Sequence, residues 1–296
     1  MNRARLSLQE RVGAVERRVR RMAPVRVLMS VMDSYNTAGG GLLASGLAFS
    51  ALFAVVPGLL LLASVLVILI DDEGARRAVI DWVIDQVPPL EEVATSIVTN
   101  LANGARVGSI IGFIGFVWGA SGFYLAIDGA INRFFPAPRG RDPLRGRLRG
   151  VIATALVVVA VLAAFATSTA ISVVNTFLNI RADGLLPIVS PLVAVGVSWL
   201  VCLACYLLLP VRPPHWRAAL VPALVAGTAI GLLTSLFGVL APLLVSGFTG
   251  LGVIASVFIA LVWLNWLFQA VLLGAAYAHQ RDVHQRHRES EVARIF

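Results

Sequence analysis

The chain has 296 residues, of which 58% are hydrophobic and only 14% are charged, and its mean hydropathy is +0.85. A soluble globular protein carries about a quarter charged residues, so this composition excludes an ordinary water-soluble domain and is typical of an integral membrane protein. The formal net charge is +8 and all 24 basic residues are arginines that flank apolar runs, which favours lipid phosphate over nucleic acid as the partner.

The first thirty residues form an arginine-rich arm ahead of the first apolar run. Within this arm, apolar residues recur at helical spacings of four and three, at Leu8, Val12, Val15, Val19 and Met22. Residues 1–30 are therefore predicted to contain an amphipathic interfacial helix. Two placements remain open for it: the anionic inner leaflet, or the cytoplasmic face of the protein itself.

Six apolar segments are each long enough to cross a bilayer, which takes about 20 helical residues. They cover residues 42–70, 107–131, 151–179, 185–210, 218–246 and 251–278. The sequence therefore predicts an all-α membrane bundle of six transmembrane helices. The membrane domain covers residues 31–280, and residues 281–296 form a cytoplasmic tail.

The connection at residues 71–106 is long and shows helical apolar spacing on both sides of the Pro88-Pro89 pair. Glu91 and Glu92 stand at the start of its second half, where acidic side chains favour a helix N-terminus. This pattern predicts an external amphipathic helical hairpin that caps the bundle or rests on the outer leaflet.

Arginines are distributed unequally between the two sides of the predicted spans. Twenty of the 24 fall in the N-terminal arm, the 133–149 and 211–217 loops and the C-terminal tail, whereas residues 71–106 hold seven acids against three arginines. Positive residues close to span ends stay in the cytoplasm. The prediction is a multi-pass protein of the cell inner membrane with both termini cytoplasmic, in agreement with the even number of spans.

Small residues form a stripe along the second predicted span. They are spaced four and three apart and so share one smooth face of the helix: Gly108, Gly112, Gly115, Gly119, Gly122, Ala126 and Gly129. Such a face lets a neighbouring backbone approach closely. The stripe is interpreted as a helix-packing surface, with a groove for an acyl chain or another ligand as the alternative.

Polar residues inside the spans define a candidate substrate pathway. One set lies in the cytoplasmic half of the bundle, on spans two and six: Ser121, Tyr124, Asp128, Asn132, Asn265 and Gln269. A second set lines the outer half of span three: Ser168, Ser172, Asn175 and Asn179. Polar faces that open to both sides are what a translocation route needs, and hydrogen bonding between helices is the alternative for the serine and asparagine rows.

Asp128 is the only acid inside a predicted span, and two interpretations of it stay open. An intramembrane ionisable group is by default a functional hypothesis. Because Asp128 stands close to the end of its span, it also fits an interfacial carboxylate paired with Arg133 or another cytoplasmic arginine.

Several short motifs resemble those of the YihY/BrkB family of membrane proteins, whose members were once named ribonuclease BN. The first is LAFSALFAVVP at residues 47–57, followed in family order by WGASG at 118–122, AINRF at 130–134, LPVR at 209–212 and VWLNW at 262–266. The resemblance covers residues 30–280. It implies a six-span inner-membrane protein linked to serum resistance, with export of a lipid or a lipopolysaccharide precursor suspected in one branch. The acid that the family places after a late glycine-alanine pair is replaced here by Ala276.

These features predict a transporter or flippase for an amphipathic lipid or lipid-linked substrate, and not an enzyme. Its partners would be membrane lipids, whose anionic headgroups meet the inner arginines Arg133, Arg139, Arg141, Arg145, Arg147, Arg149, Arg212 and Arg217. The alternative is a non-transporting envelope scaffold, partnered by an envelope-complex protein or a second copy of the chain. A membrane-associated ribonuclease is least favoured, because the acids on the cytoplasmic side are scattered along the chain. No cofactor, metal or nucleic-acid partner is predicted.

Overall fold

The computed structural model describes residues 23–69, 74, 89, 91–100, 105–135, 186–247 and 252–295. Within these ranges the chain forms helices and no strands, which confirms the all-α fold class. Seven helices are described: α1 (Ala23–Thr37), α2 (Gly40–Leu69), α3 (Glu91–Asn100), α4 (Ala105–Phe134), α5 (Leu186–Leu208), α6 (Trp216–Gly247) and α7 (Gly252–Ile295).

Four of these helices are long and apolar enough to cross a membrane, namely α2, α4, α6 and α7. Their candidate spans are Gly40–Val65, Val107–Phe134, Trp216–Ala241 and Val253–Arg286, and α5 contributes the shorter apolar segment Val195–Leu208. The third predicted span, at 151–179, lies outside the described residues. The chain is therefore a membrane protein with at least four candidate spans, while the count of six stays a prediction.

The second half of the predicted external hairpin contains α3, which begins at Glu91, two residues after Pro89, as the two acids at its start suggested. The first half of that hairpin and the N-terminal arm up to residue 22 lie outside the described residues. The hairpin as a whole is therefore still a prediction.

Helix α1 is an element that the sequence interpretation missed, since the boundary between arm and membrane domain was placed inside it, at residue 30. It ends at Thr37, and Gly39 in the turn that follows has a φ of 72°, the left-handed conformation that glycine adopts without strain after a helix end. Val31 and Tyr35 are buried on its inner face. Gly40 is required next to this turn, because a Cβ there would overlap the Tyr35 ring.

Helix α7 is the centre of the bundle and contacts each of the other six described helices. On one side α4 packs along α2, and on the other α5 packs along α6. The α5–α6 contact depends on Gly227, where an added Cβ would lie 2.7 Å from the backbone nitrogen of Trp199. Two antiparallel pairs are thus joined through one long helix.

Buried residues form two clusters along the bundle axis. The first, here called the arginine-side core, combines α1, α2, α4, α5, α6 and α7 and includes Leu47, Ile131, Tyr206, Ala223 and Leu272. It lies at the end of the bundle that carries Arg133, Arg212 and Arg217. The second, the far-side core, draws its buried members from α2, α3, α6 and α7 and includes Leu52, Val93, Phe237, Ala260 and Trp263.

Helix α7 extends 17 residues beyond the predicted end of the last span at residue 278. The boundary predicted at 280, between membrane domain and tail, therefore falls inside a continuous helix. The physical reason is that no proline or glycine follows Gly274, so nothing in the sequence stops the helix. At 1.5 Å per residue, its 44 residues span about 66 Å, roughly twice the thickness of a hydrocarbon core.

Candidate functional site

The glycine stripe of α4 lies against the backbone of α2 over part of its length. A Cβ on Gly112 would lie 2.7 Å from the backbone nitrogen of Leu61, and one on Gly115 would lie 3.0 Å from the Pro57 Cβ. On Gly119 it would overlap the Phe53 carbonyl group. These three glycines therefore allow a contact that no larger residue permits, and α2 occupies the stripe there.

The two ends of the stripe differ from this middle part. Gly108 lies in the first turn of α4. At Gly122 and Gly129, no other helix among the described residues comes within 4 Å of the position that a Cβ would take. The stripe thus leaves the α2 surface after Gly119, and the part nearer the arginine-rich end is not needed for this helix contact.

Asn132 joins the end of α4 to the loop that follows α5. Its Nδ2 group donates to the Asp128 carbonyl at 2.8 Å and to the Asp128 carboxylate at 3.0 Å. The same group approaches the Leu209 carbonyl at 3.4 Å, and the Asn132 Oδ1 accepts the backbone N–H of Val211 at 2.9 Å. The predicted polar face of α4 is therefore, at Asn132, a link between distant chain segments.

The other members of that face stand along α4 toward the membrane interior. Tyr124 and Asp128 are half-buried. Ser121 is exposed and donates to the carbonyl of Val117, one turn back in its own helix, at 2.6 Å. Ser121 is thus satisfied within α4, whereas Asn132 bonds to another part of the chain.

A second polar group joins α7 to α2. The Asn265 Nδ2 donates to the Ser45 Oγ at 2.7 Å, and the Gln269 Nε2 donates to the Asn265 Oδ1. Ser45 in turn donates to the Gly41 carbonyl at 3.1 Å. Ser45, Asn265 and Gln269, here called the amide patch, include a residue that sequence reasoning had not selected: Ser45.

The amide patch opens to the outside of the described bundle. Ser45 is exposed, and Asn265 and Gln269 are half-buried. The exposed apolar side chains on the same two helices include Leu42, Phe49, Phe53, Phe258, Val262 and Trp266. Polar groups on a membrane-facing surface cost free energy unless they find hydrogen-bond partners. The patch is therefore the strongest candidate for a contact with a polar group of a ligand.

The polar groups of α4 and α7 lie on neighbouring helices. Phe123 of α4 packs against Phe268 of α7, with ring centroids 5.7 Å apart. Tyr124 and Gln269 directly follow these two rings in sequence. The residues predicted on spans two and six thus belong to one half of the bundle, whereas Ser168, Ser172, Asn175 and Asn179 lie outside the described residues.

Arginines at the candidate headgroup positions share one end of the bundle. Arg133, Arg212 and Arg217 are exposed, and the guanidinium of Arg217 lies 5.1 Å from the ring centre of the exposed Trp216. Tryptophan and arginine together are typical of a membrane–water interface. Five further candidates, Arg139, Arg141, Arg145, Arg147 and Arg149, lie outside the described residues.

Asp282 is a structural residue that the sequence interpretation had grouped with scattered cytoplasmic acids. It is only 7% exposed, accepts the backbone N–H of His215 at 2.8 Å and pairs with Arg286 Nε at 2.8 Å. The His215 carbonyl accepts the N–H of Ala218 at the start of α6. Asp282 thus fixes the α7 extension to the beginning of α6. The i,i+4 spacing of Asp282 and Arg286 was the available signal.

The family acid that Ala276 replaces would have stood inside the arginine-side core. Ala276 is fully buried there, beside Ala275 and Leu272. An acid at this position would need a buried partner, and this chain fills the site with a methyl group instead. Within the described ranges, no three histidine, cysteine or acidic side chains form a group that could hold a metal ion.

Comparison with known proteins gives two matches. A family model described as virulence factor BrkB matches residues 31–294. A curated relative, a UPF0761 membrane protein of Rhodospirillum rubrum, is 28% identical over 243 residues, which cover 80% of this chain and 54% of that protein. The chain therefore spans about half the length of this relative. No solved structure matches the chain significantly.

Proposed function

Because this chain belongs to the virulence factor BrkB family, we propose that it moves an amphipathic lipid or lipid-linked molecule across the cell inner membrane. In this proposal the bundle has six spans and both termini are cytoplasmic. Membrane lipids are the partners, and the protein uses no catalytic chemistry, cofactor or nucleic acid.

The amide patch is the observation that carries the proposal. Three polar side chains bond to one another across the α2–α7 contact, although Ser45 is exposed and Asn265 and Gln269 are only half-buried. Hydrogen bonding between helices alone would favour burial of the whole group, because lipid tails offer no polar partner. A lipid glycerol or headgroup that leaves the interface would find donors and acceptors there.

The arginine-rich end supports the proposed orientation and the choice of substrate. Arg133, Arg212 and Arg217 are exposed at that end together with Trp216. Guanidinium groups bind phosphate oxygens in pairs, and positive residues stay on the cytoplasmic side. The exposed arginines would therefore bind an anionic headgroup at the cytoplasmic surface. This surface lies at the same end of the bundle as Asp128 and close to the amide patch along the helices.

The proposal is tested by lipid movement in proteoliposomes. Asn265→Leu removes the central residue of the amide patch, and we expect it to slow the protein-dependent movement of a fluorescent phosphatidylglycerol at least tenfold. Thr228→Val is the matched control, because Thr228 is exposed on α6 and bonds only within its own helix, to Leu224 O at 2.9 Å. Equal rates for the wild type and a folded Asn265→Leu variant would contradict the proposed function.

A scaffold is the second candidate, and the length of α7 favours it. The extension beyond residue 278 carries Arg281 and Arg286, and Asp282 holds it against the beginning of α6. A long charged helix that continues past the predicted end of the last span is suited to bind a protein partner. A scaffold would lose function when residues 1–26 are deleted and would tolerate every intramembrane polar substitution, the reverse of the transport expectation.

A further inference from the structure

Two buried polar atoms lack a hydrogen-bond partner among the described residues: the Tyr35 hydroxyl and the Trp263 indole nitrogen. Tyr35 lies in α1, at the arginine-rich end, close to the predicted membrane surface. Trp263 lies within the candidate span of α7 and is 4% exposed. A buried N–H without an acceptor is costly, so each such group in a native protein calls for an explanation.

Trp263 belongs to the far-side core, a cluster of buried apolar side chains from α2, α3, α6 and α7. Its buried neighbours in that core include Leu52, Phe237, Ala260 and Leu264. Seven residues before Trp263, and therefore on the same face of α7, Ser256 is 1% exposed and donates to the Glu92 carboxylate of α3 at 2.9 Å. One face of α7 thus carries two buried polar groups, the outer one bonded to an exposed acid.

We infer that the Trp263 indole N–H is the donor of a binding site for the ester or amide carbonyl of the acyl part of the substrate. This inference rests on the proposed function and names the substrate group that the far half of the bundle receives. A neutral carbonyl fits because the surroundings are apolar, where an anion would pay a large desolvation cost. The Glu92 carboxylate at the outer end disfavours a phosphate further.

The depth of Trp263 agrees with a lipid in transit. Trp263 stands 11 residues after the start of α7, about 16 Å along the helix axis, which is about half the thickness of a hydrocarbon core. A resting bilayer lipid keeps its ester groups at the interface. A carbonyl that reaches Trp263 has left that interface.

The test removes the N–H without changing the shape of the ring. Trp263→benzothienylalanine replaces the N–H with sulfur. The matched control is the same replacement at Trp199, whose Nε1 donates to the Leu220 carbonyl at 3.2 Å. In dodecyl maltoside without lipid, we expect the change at Trp199 to lower the Tm and the change at Trp263 to leave it unaltered, because only Trp199 loses a hydrogen bond within the protein.

Lipid binding is then measured by thermal shift with dioleoyl phosphatidylglycerol and with its ether-linked analogue, which has the same headgroup but no carbonyls. We expect the wild type to prefer the ester lipid about five- to tenfold, and the Trp263 variant to lose this preference. Trp263→Phe, which also lacks the N–H, provides a second variant with the same expected loss.

A wild type without ester preference, or a preference that survives in both Trp263 variants, overturns the inference. These outcomes are distinct from failure of the proposed function. If the wild type moves phosphatidylglycerol but shows no preference for the ester lipid, the transport proposal is supported and the carbonyl site at Trp263 is contradicted. If the wild type moves no lipid but prefers the ester lipid in a way that depends on Trp263, the binding site is supported and the transport proposal is contradicted.

Discussion

The two halves of the bundle are held together in different ways. At the arginine-rich end, residues far apart in sequence are joined by hydrogen bonds, including Asn132 to Val211, Asp282 to His215 and Tyr206 to the Val271 carbonyl. On the far side, Ser256 donates to Glu92 across the α3–α7 contact, and the buried residues of the far-side core are apolar side chains packed against one another.

This difference has a mechanical consequence in a membrane. Apolar side chains gain little by leaving lipid for another apolar surface, so packing alone holds helices less firmly than packing with hydrogen bonds. We therefore expect the arginine side to act as a fixed base and the far side to change its packing during function. A carrier that admits a lipid from the membrane needs one half whose helix packing can change.

Among single substitutions, the largest effect on the contrast between the two halves is expected at Asn132. Asn132→Leu leaves the Val211 N–H without its acceptor, and we expect it to lower the free energy of unfolding by about 2 kcal/mol. Thermal unfolding in detergent measures the change. Ser121→Ala is the control, because its hydroxyl bonds only within α4, and it should cost less than about 0.5 kcal/mol. If Asn132→Leu and Ser121→Ala lower the free energy of unfolding equally, the contact between Asn132 and the loop after α5 does not stabilise the arginine-rich end of the bundle.

A smaller effect is expected on the far side. Ser256→Ala removes the bond to Glu92, and the carboxylate, which is exposed, is then solvated by water. We expect a cost of about 1 kcal/mol or less in the same unfolding measurement. A loss of unfolding free energy as large as that of Asn132→Leu would show that hydrogen bonds stabilise the two halves equally, and the proposed contrast between them would be wrong.

Much of the helix placement could be predicted from the sequence, because long apolar runs report directly on where the apolar helices lie. The ends predicted for spans one, two, four and five differ from the helix ends of α2, α4, α5 and α6 by at most three residues. The boundary between membrane domain and tail was placed at 280 from charge, whereas α7 continues as one helix to Ile295. Helix α1 was missed because its inner face, with Val31 and Tyr35, is narrow and interrupted by polar residues.

The partners of the polar side chains could not be predicted in the same way. Asn132 was selected as a pathway residue from its position on a helix face, yet its contacts with Leu209 and Val211 depend on a loop more than 75 residues away in sequence. Ser45 resembled any small polar residue in an apolar run until α7 placed Asn265 beside it. Periodicity identifies a face, whereas only the packed fold identifies what that face meets.

The most direct test of the account is an experimental structure of the full chain in nanodiscs of phosphatidylglycerol and phosphatidylethanolamine. The account predicts an ordered lipid at the α2–α7 surface, with its polar part beside Ser45, Asn265 and Gln269 and its acyl chains along Phe49 and Val262. An amide patch covered by another part of the chain or by a second copy, with no lipid at that surface, would contradict it.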